Sequence, residues 1–242
     1  MDKLVSIITV VLNGEKYLED TIKSVISQTY KNIEYIVVDG GSTDNTLSII
    51  SMYKDKIDVV ISEKDKGIYD AMNKGIKKSS GDIIGIINSD DYYYNDNVVQ
   101  AIVECFDDDD CDILYGDKIK YDLVTGEKLL INVDRPNSLK EVNISIVHPT
   151  VFVRRKIYMK KMFDEKYKIV ADRAFFYWAY RQGYNFFKKN KVIAVMRTGG
   201  ISSKCCQPVK EGFYVRREYL GIMYAILFVI RHLVSSIYKK LK

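Results

Sequence analysis

The sequence predicts an α/β fold in which an open, mostly parallel β-sheet carries helices on both faces. Short apolar runs alternate with segments of helical periodicity through the first half of the chain. The runs are nearly continuous rather than alternating, as expected for strands that are buried on both faces. Several runs end in Gly, Asn or Asp, residues that favour turns. This order of elements is typical of a Rossmann-like sheet.

The first half of the chain supplies the parallel part of the predicted sheet. The predicted strands are residues 5–11, 33–38, 59–62 and 83–87. The predicted helices are residues 16–28, residues 68–78 and a helix that starts after Thr43 or Asp44 and ends at Met52. Loops that follow parallel strands lie at one edge of the sheet, where ligands of such folds bind.

The second half is less regular. The predicted strands are residues 111–115, 127–133, 147–153 and 192–196, and an aromatic-rich helix is predicted over residues 172–182. Four consecutive aspartates, residues 107–110, are interpreted as a solvated turn. They lack the spaced ligands and the glycine of a calcium-binding loop.

Composition narrows the class of protein. The 242 residues include 37 Lys and Arg and 32 Asp and Glu, and the net charge of +5 does not require a nucleic-acid partner. The four cysteines show no C-x-x-C spacing, so neither a zinc site nor a disulfide framework is expected. The N-terminus lacks the pattern of a signal peptide, which predicts a cytoplasmic location.

Polar side chains follow the predicted strands of the first half, and we expect them to converge at one edge of the sheet. They are Asn13, Asp39, Ser42, Asp65, Asp90 and Asp91. Asp39 ends a buried strand, where its carboxylate is able to accept a hydrogen bond from a nucleotide base or a ribose. Gly40 and Gly41 permit close approach of the backbone to a ligand. A tight strand-to-helix turn is the alternative interpretation.

The strongest local signal is the run Asn88-Ser89-Asp90-Asp91 after an apolar strand. Adjacent carboxylates at a strand end suit a divalent cation, which would neutralise the charge that develops on a departing diphosphate. One carboxylate would hold the metal while the other accepts from a ribose or sugar hydroxyl. Taken alone, these residues are equally consistent with an acidic turn.

A third polar segment spans residues 62–75 and places charged groups on the predicted helix. Asp70, Asn73 and Lys74 are three to four residues apart, so they share one helical face. Lys74 is a candidate contact for a phosphate. A solvent-exposed amphipathic face is the alternative.

Taken in order, these segments resemble the family-two glycosyltransferases of the GT-A fold, which build bacterial surface polysaccharides. Residues 5–13 (VSIITVVLN) resemble the opening strand of the family and its Asn. Residues 27–34 (SQTYKNIE) resemble the stretch that leads into the Asp strand, and residues 62–76 (SEKDKGIYDAMNKGI) resemble a subgroup pattern that has Pro in place of Lys64. Residues 88–91 fill the place of the DXD-type metal motif. The likeness covers roughly residues 4–200, and the combination is specific even where each motif is weak.

The resemblance implies a role for each matching position. Asp39 would contact the base, Asp90 the ribose or donor sugar, and Asp91 would ligate Mg²⁺ or Mn²⁺. The implied nucleotide-sugar-binding set is Val11, Asn13, Asp39, Ser42, Asp65, Asn73, Lys74 and Asp90.

Asp172 is the implied catalytic base, because residues 169–175 (IVADRAF) match the helix start that carries it in the family. A carboxylate there would take the proton of an attacking acceptor hydroxyl. The sequence departs from the pattern at Ala174, where an acidic residue often stands. His148 resembles a family position that lines the acceptor site, and residues 199–202 resemble a flexible loop near the end of these domains.

The end of the chain predicts a basic amphipathic helix. Residues 219–230 are apolar apart from Gly221, and Arg231 and His232 interrupt the run, which is too short to span a membrane. Flanking Arg and Lys residues favour a helix that lies on an anionic membrane surface. Packing on the domain or on a partner is the alternative.

The predicted organisation is a GT-A domain over residues 1–205 and a basic amphipathic segment over residues 206–242. Within the domain, residues 1–115 would bind the nucleotide sugar and residues 116–205 the acceptor. The resemblance implies inverting transfer from a nucleotide-diphosphate sugar, UDP first, to a saccharide or lipid-linked saccharide at the cytoplasmic face of the inner membrane. The alternative is an inactive nucleotide-sugar-binding or interaction protein of the same fold.

Overall fold

A mixed sheet of nine strands forms the centre of this computed structural model, which describes residues 3–107, 110–133, 146–199 and 207–240. The strands are β1 (Val5–Val11), β2 (Ile33–Asp39), β3 (Val59–Ser62), β4 (Ile83–Asn88), β5 (Asp91–Tyr93), β6 (Ile113–Tyr121), β7 (Lys128–Ile131), β8 (Val151–Arg154) and β9 (Phe186–Arg197). The helices are α1 (Leu18–Ile26), α2 (Thr46–Met52), α3 (Ile68–Lys78), α4 (Val98–Phe106), α5 (Arg155–Lys160), α6 (Ala171–Arg181), α7 (Gln207–Leu220) and α8 (Ile222–Lys240).

The first half of the sheet is parallel and the second half is mixed. The strand order is β3-β2-β1-β4-β8-β6-β9-β5, with β7 paired to β6. Strands β3, β2, β1 and β4 are parallel to one another, whereas β8 is antiparallel to both β4 and β6. The predicted α/β class and the parallel first half are confirmed.

Helices cover both faces of the sheet, as predicted, because successive strand residues point to opposite sides. On β1, Ile7 belongs to a buried cluster with Leu18 and Ile22 of α1, while Ile8 belongs to a second cluster. Met72 of α3 lies in that second cluster, as do aromatic residues of α6. Each such side chain is fully buried, which stabilises the fold by roughly 1.5–3 kcal/mol per residue.

Several predicted boundaries differ from the structure. The strand predicted over residues 147–153 begins as a 3₁₀ turn, His148–Thr150, and becomes strand only at Val151. Pro149 explains the difference, since it lacks a backbone N–H and fixes its φ angle. Strands β6 and β9 extend beyond the predicted ranges, and β7 is shorter. Residue 115, the end of the predicted donor half, lies inside β6, and the boundary after residue 205 lies outside the described residues.

The C-terminal segment forms two helices rather than the single one predicted. They meet at Gly221, whose φ of 92° is a left-handed conformation that favours glycine. Helix α7 packs on the domain through Val215 and Tyr219, and Tyr219 stacks on Tyr177 with ring centroids 5.7 Å apart. Helix α8 packs on α7, where the Arg216 guanidinium lies 3.6 Å from the centre of the ring of Phe228. No helix in the described part of the chain combines the length and apolarity that a membrane crossing needs.

Candidate functional site

The loops that follow β1 and β2 are hydrogen-bonded to each other at the carboxyl edge of the sheet. Asn13 adopts a left-handed conformation with a φ of 52°, which Asn tolerates better than most residues. Its backbone N–H donates to Ser42 Oγ at 2.8 Å, and its side-chain Oδ1 accepts from the Thr43 N–H at 2.8 Å. The structure therefore brings the predicted residues Asn13 and Ser42 together.

Asp39 shapes the loop that follows it. Its carboxylate is completely buried and accepts from the N–H groups of Gly41 and Ser42, at 3.2 Å each, and from Ser62 Oγ at 2.8 Å. Val11 lies beside it on β1, with its side chain in the core and its carbonyl oxygen accepting from the Gly40 N–H at 2.8 Å. In this state both residues hold the loop, and their contact with a nucleoside stays a prediction.

Asp65 lies against the same loop from the β3 side. Its Oδ1 accepts from the Gly67 N–H at 2.9 Å. A Cβ atom added to Gly40 would lie only 2.2 Å from Asp65 Oδ2, so the carboxylate occupies the space that any side chain at position 40 would need. Gly40 therefore permits the close approach of these two loops.

Asn73 and Lys74 of α3 have different surroundings although they are adjacent. Asn73 is buried, and its amide group donates to the Phe163 carbonyl oxygen at 2.9 Å and accepts from the Phe163 N–H at 3.0 Å. This places Asn73 in a structural contact with the second half of the chain. Lys74 forms ion pairs with Glu63 at 2.9 Å and Asp70 at 3.3 Å, and its hydrogen bond to Glu63 raises its pKa.

The two aspartates after β4 are adjacent, with Asp91 buried and Asp90 half-buried. Burial raises the pKa of both carboxyl groups, and the neighbouring charge of Asp90 raises that of Asp91 further. Asp91 is 2% exposed, and its Oδ1 accepts from the backbone N–H of Arg197 at 3.2 Å. Two adjacent carboxylates repel each other when they are withdrawn from water, and a cation beside them would remove that cost.

The carboxylates fit a divalent cation that is shared with a phosphate. Within the described residues, no three His, Cys, Asp or Glu side chains gather as a complete metal site. Mg²⁺ is usually held by one or two protein carboxylates together with water and substrate phosphates. Asp90 and Asp91 match that limited donor set, so the residues present fit Mg²⁺ or Mn²⁺.

Arg197, at the end of β9, was missed by the sequence analysis. Its guanidinium lies between two aromatic rings, 4.6 Å from the centre of Tyr17 and 4.7 Å from that of Tyr92. It donates to the Asp90 carbonyl oxygen at 3.0 Å and pairs with Asp20 at 2.5 Å. Arg197 therefore fixes the Asp90 backbone through its guanidinium and the Asp91 carboxylate through its own backbone N–H, from a strand about a hundred residues away.

Asp172, the predicted base, lies at the start of α6 in a network of hydrogen bonds. Its Oδ1 accepts from the Arg173 N–H at 2.8 Å and lies 3.0 Å from the Tyr69 hydroxyl. Its Oδ2 is 3.4 Å from His148 Nδ1, and His148 Nε2 is 3.0 Å from Asn88 Oδ1. The imidazole thus connects the predicted base to the loop that carries Asp90 and Asp91.

The surroundings of Asp172 favour its ionised form. Burial alone would raise its pKa, but the hydrogen bond and charge of His148 and the charge and backbone N–H of Arg173 outweigh burial, so the pKa lies below its usual value. The side chain is only 8% exposed. A buried carboxylate that stays ionised near neutral pH is able to accept a proton.

Two other predicted segments lie partly outside the described residues. Residues 200–202 of the predicted flexible loop lie outside the described residues, as do two of the four aspartates in residues 107–110. Asp107 is exposed and pairs with Lys3 at 2.6 Å, consistent with a surface turn.

The sequence and the fold both match known proteins. The family model Glycosyl transferase family 2 matches residues 6–186. Glycosyltransferase GlyG of Streptococcus pneumoniae serotype 4 is 34% identical over 125 residues, 50% of this chain and 41% of that protein. An uncharacterized glycosyltransferase of Rickettsia prowazekii is 31% identical over 204 residues, 78% of this chain and 63% of that protein. The chain therefore spans about two fifths to two thirds of the length of these relatives.

Solved structures share the fold at low sequence identity. The structure of S. aureus TarS 1-349 in complex with UDP-GlcNAc matches with a TM-score of 0.71 and 22% identity, covering 89% of this chain and 65% of that one. The mannosyltransferase PcManGT from Pyrobaculum calidifontis, in complex with GDP-Man and Mn²⁺, matches with a TM-score of 0.66 and 16% identity, covering 96% and 65%. The predicted GT-A fold is confirmed. Since the family model spans most of the domain that carries the site, the chain belongs to glycosyl transferase family 2.

Proposed function

We propose that this chain catalyses inverting transfer of a sugar from a nucleotide-diphosphate sugar, with UDP as the first candidate nucleotide, to an acceptor hydroxyl. The observation that carries the proposal is the hydrogen-bonded path from Asp172 through His148 to Asn88. It joins a carboxylate suited to act as a base with the loop that carries Asp90 and Asp91. That pair is suited to a cation, and the cation would bind the diphosphate. Family membership supports the same reaction class.

In the proposed reaction, the acceptor hydroxyl oxygen attacks the anomeric carbon of the donor sugar. As the new carbon–oxygen bond forms, Asp172 accepts the hydroxyl proton, and the bond from the anomeric carbon to the diphosphate oxygen breaks. The nucleoside diphosphate leaves with that electron pair. A single displacement from the opposite face inverts the anomeric configuration.

The Asp90–Asp91 pair serves the leaving group in this proposal. Asp91 would hold Mg²⁺ or Mn²⁺, which would supply Lewis-acid neutralisation of the charge on the diphosphate. Asp90 would accept a hydrogen bond from the ribose or the donor sugar. Arg197 keeps both residues in place through its bonds to the backbone and the carboxylate.

The nucleoside would lie along the loops after β1, β2 and β3. Asn13 and Ser42 are joined there, Asp39 fixes the loop backbone, and Asp65 covers Gly40. The structural relatives support both a uridine and a guanosine donor, since TarS binds UDP-GlcNAc and PcManGT binds GDP-Man with Mn²⁺. UDP is the first candidate nucleotide, and the screen described next compares it with the others.

A screen of nucleotides and metals tests the donor site. The purified chain is heated with UDP, GDP, dTDP and CDP, each with and without Mn²⁺, and the melting temperature is measured. A ligand that binds only the native state raises it, by about 2.7 kcal/mol of stability at a hundredfold excess over Kd. We expect one nucleotide to stabilise the chain and to do so better with Mn²⁺. No stabilisation by any of them would contradict the proposal and favour the alternative, an interaction protein of the same fold.

Transfer itself is tested with the donor that the screen selects. The chain is incubated with that nucleotide sugar and with saccharide or lipid-linked saccharide acceptors extracted from bacterial membranes, and released nucleoside diphosphate is measured. The anomeric configuration of the product, read by NMR, tests inversion. A product that keeps the configuration of the donor would refute the single displacement.

We further propose that α8 lies on the anionic surface of the cytoplasmic face of the inner membrane, where a lipid-linked acceptor would be found. Exposed large apolar residues recur along one side of the helix, at positions 222, 223, 226, 227, 230, 233 and 234. No Asp or Glu occurs in Ile222–Lys240, whereas Arg231, Lys239 and Lys240 do. An apolar helix side with basic residues and no acidic ones suits an anionic lipid surface.

Vesicle binding tests this surface with a matched control. Leu227 and Leu233 of α8 are each 56% exposed, and Leu129 of β7 is 60% exposed but lies elsewhere on the fold. Replacing both α8 leucines by Ser removes burial of roughly 2 kcal/mol in the membrane, so co-sedimentation with phosphatidylglycerol vesicles should fall more than about tenfold. Leu129→Ser should bind like the wild type. Equal binding by the double variant, or self-association of the wild type without vesicle binding, would contradict the proposal.

A further inference from the structure

The backbone that leads into α6, the helix that carries Asp172, is held by a carboxylate from another helix. The N-cap residue Val170 makes no capping bond with its own side chain. Glu211 of α7 instead accepts hydrogen bonds from three successive backbone amides. They are those of Lys168 at 2.9 Å, Ile169 at 2.8 Å and Val170 at 3.3 Å.

The chemistry of this contact favours a carboxylate at position 211. The N-cap amide of a helix has no partner inside the helix, and the helix dipole places partial positive charge at that end. Glu211 accepts from that amide, the Val170 N–H, and from the two amides that precede it. Glu211 is 7% exposed, and a buried carboxylate is stable only when its oxygens are well hydrogen-bonded. Both of its oxygens accept here, Oε1 from Lys168 and Oε2 from Ile169 and Val170.

The residues that Glu211 holds are connected to Asp172. Ile169 is fixed from two sides, because its N–H donates to Glu211 and its carbonyl oxygen accepts from the Tyr69 hydroxyl at 2.8 Å. The same hydroxyl lies 3.0 Å from Asp172 Oδ1. A movement of the Ile169 backbone would therefore shift both Tyr69 and Asp172.

We propose that Glu211 is a positioning residue for transfer, and that it sets the orientation of Asp172 from the C-terminal pair of helices. The inference rests on the proposed role of Asp172 as the base. It assigns α7 a part in the reaction, although α7 lies after the residues that the family model matches. Glu211 acts through the backbone that precedes α6.

Glu218 provides a matched control on the same helix. It also contacts the loop before α6, accepting from the Tyr167 hydroxyl at 2.9 Å and pairing with Lys166 at 3.4 Å. It contacts side chains, however, and none of the amides that precede Asp172. Loss of Glu218 therefore weakens the docking of α7 without releasing the start of α6.

The first test is steady-state kinetics of the full chain with the Glu211→Gln, Glu211→Asp and Glu218→Gln variants, below the melting temperature of each. The amide of Gln keeps one acceptor oxygen and turns an NH₂ group toward the other backbone amides. We expect Glu211→Gln to lower kcat about tenfold or more with the donor KM nearly unchanged, since small misplacement of a catalytic group costs that much. Glu211→Asp, which keeps both oxygens, should recover part of kcat, and Glu218→Gln should keep the wild-type kcat. Equal kcat for Glu211→Gln and wild type, or equal losses in the two Gln variants, would overturn the proposal.

A second measurement separates this inference from the proposed function. Hydrogen–deuterium exchange is followed in peptides that contain residues 168–172, in the wild type and in both Gln variants. Faster exchange in Glu211→Gln than in Glu218→Gln supports the positioning contact even if the wild type transfers no sugar, a result that would count against the proposed function alone. Unchanged protection in a folded Glu211→Gln variant would overturn the inference whatever the activity.

Discussion

Replacing Asp172 by Asn separates the chemistry of this residue from its structural contacts. The Arg173 N–H and the Tyr69 hydroxyl both face Oδ1, and the amide oxygen of Asn is able to take the place of this acceptor oxygen. The NH₂ group would then face His148 Nδ1, which accepts when its proton is on Nε2, the atom that faces Asn88 Oδ1. The network therefore survives the substitution.

The expected magnitudes follow from that network. Because no buried donor or acceptor loses its partner, stability should change by no more than about 1 kcal/mol. The amide cannot accept a proton, so kcat should fall by the contribution of a general base, about 10²–10⁴-fold. Asp172→Ala is a poorer test, because it would remove the acceptor of the Arg173 N–H and the partner of His148 Nδ1 in a part-buried site and cost roughly 1–3 kcal/mol for each unsatisfied group.

The assay compares wild type and Asp172→Asn in three measurements: melting temperature, the shift produced by donor with Mn²⁺, and turnover. We expect the first two to match and turnover to fall as stated. Turnover within about tenfold of the wild type would refute Asp172 as the base. Loss of the donor-induced shift would show that Asp172 shapes the donor site instead.

Two further predictions concern the carboxyl edge of the sheet, where we propose that the donor binds. Gly40→Ala should weaken donor binding with little loss of stability, because its Cβ would lie 2.2 Å from Asp65 Oδ2 and would displace a half-buried carboxylate; unchanged donor affinity would contradict this. In the metal-free chain, the pKa of Asp91 is raised, so folding favours the protonated carboxyl group. This group therefore stabilises the folded chain at low pH, and the stabilisation is lost as the pH rises above the ordinary pKa of 3.8 and through the raised pKa. The melting temperature of the wild type should therefore fall relative to that of Asp91→Asn over that rise in pH, and Mn²⁺ should restore it only in the wild type; parallel pH profiles would refute the coupling.

The meeting of the loops after β1, β2 and β3, where we propose that the donor binds, could be predicted from the sequence because its geometry follows from local pattern and parallel topology. Continuous apolar runs identified the strands, and parallel strands bring their carboxyl ends to one edge. The register places Val11 beside Asp39 and Asp39 beside Ser62, so the loops after β1, β2 and β3 meet. Convergence required no knowledge of long-range contacts.

Helical spacing was a weaker guide on α3. It predicted one shared face for Asp70, Asn73 and Lys74, and the Asp70–Lys74 ion pair confirms that two of them are neighbours. The spacing of residues along a helix does not identify the segment against which a helix face packs. Asn73 is turned into the protein and binds the backbone of Phe163, ninety residues away in sequence. No local signal predicts such a partner.

Arg197 and Glu211 were missed for the same reason. Each acts on a distant segment, Arg197 on the Asp90 carbonyl oxygen and the Asp91 carboxylate, and Glu211 on the backbone amides of residues 168–170. In the sequence, Arg197 is a charged residue at the end of an apolar strand, and Glu211 is an acidic residue in a basic segment. The roles of both residues follow only from their hydrogen-bond partners in the folded structure.

The antiparallel strand β8 explains how Asp172, the proposed base from the second half of the chain, is connected to the proposed donor-binding edge built by the first half. Gly85 of β4 lies opposite Phe152 of β8, so each step toward the carboxyl end of β4 is a step back along the chain from Phe152. The end of β4 therefore lies beside the 3₁₀ turn, and His148 meets Asn88. A parallel strand in this place would have presented its opposite end. Because β8 runs antiparallel to β4, His148 contacts the loop that carries Asp90 and Asp91. Asp172 is connected to that loop through His148.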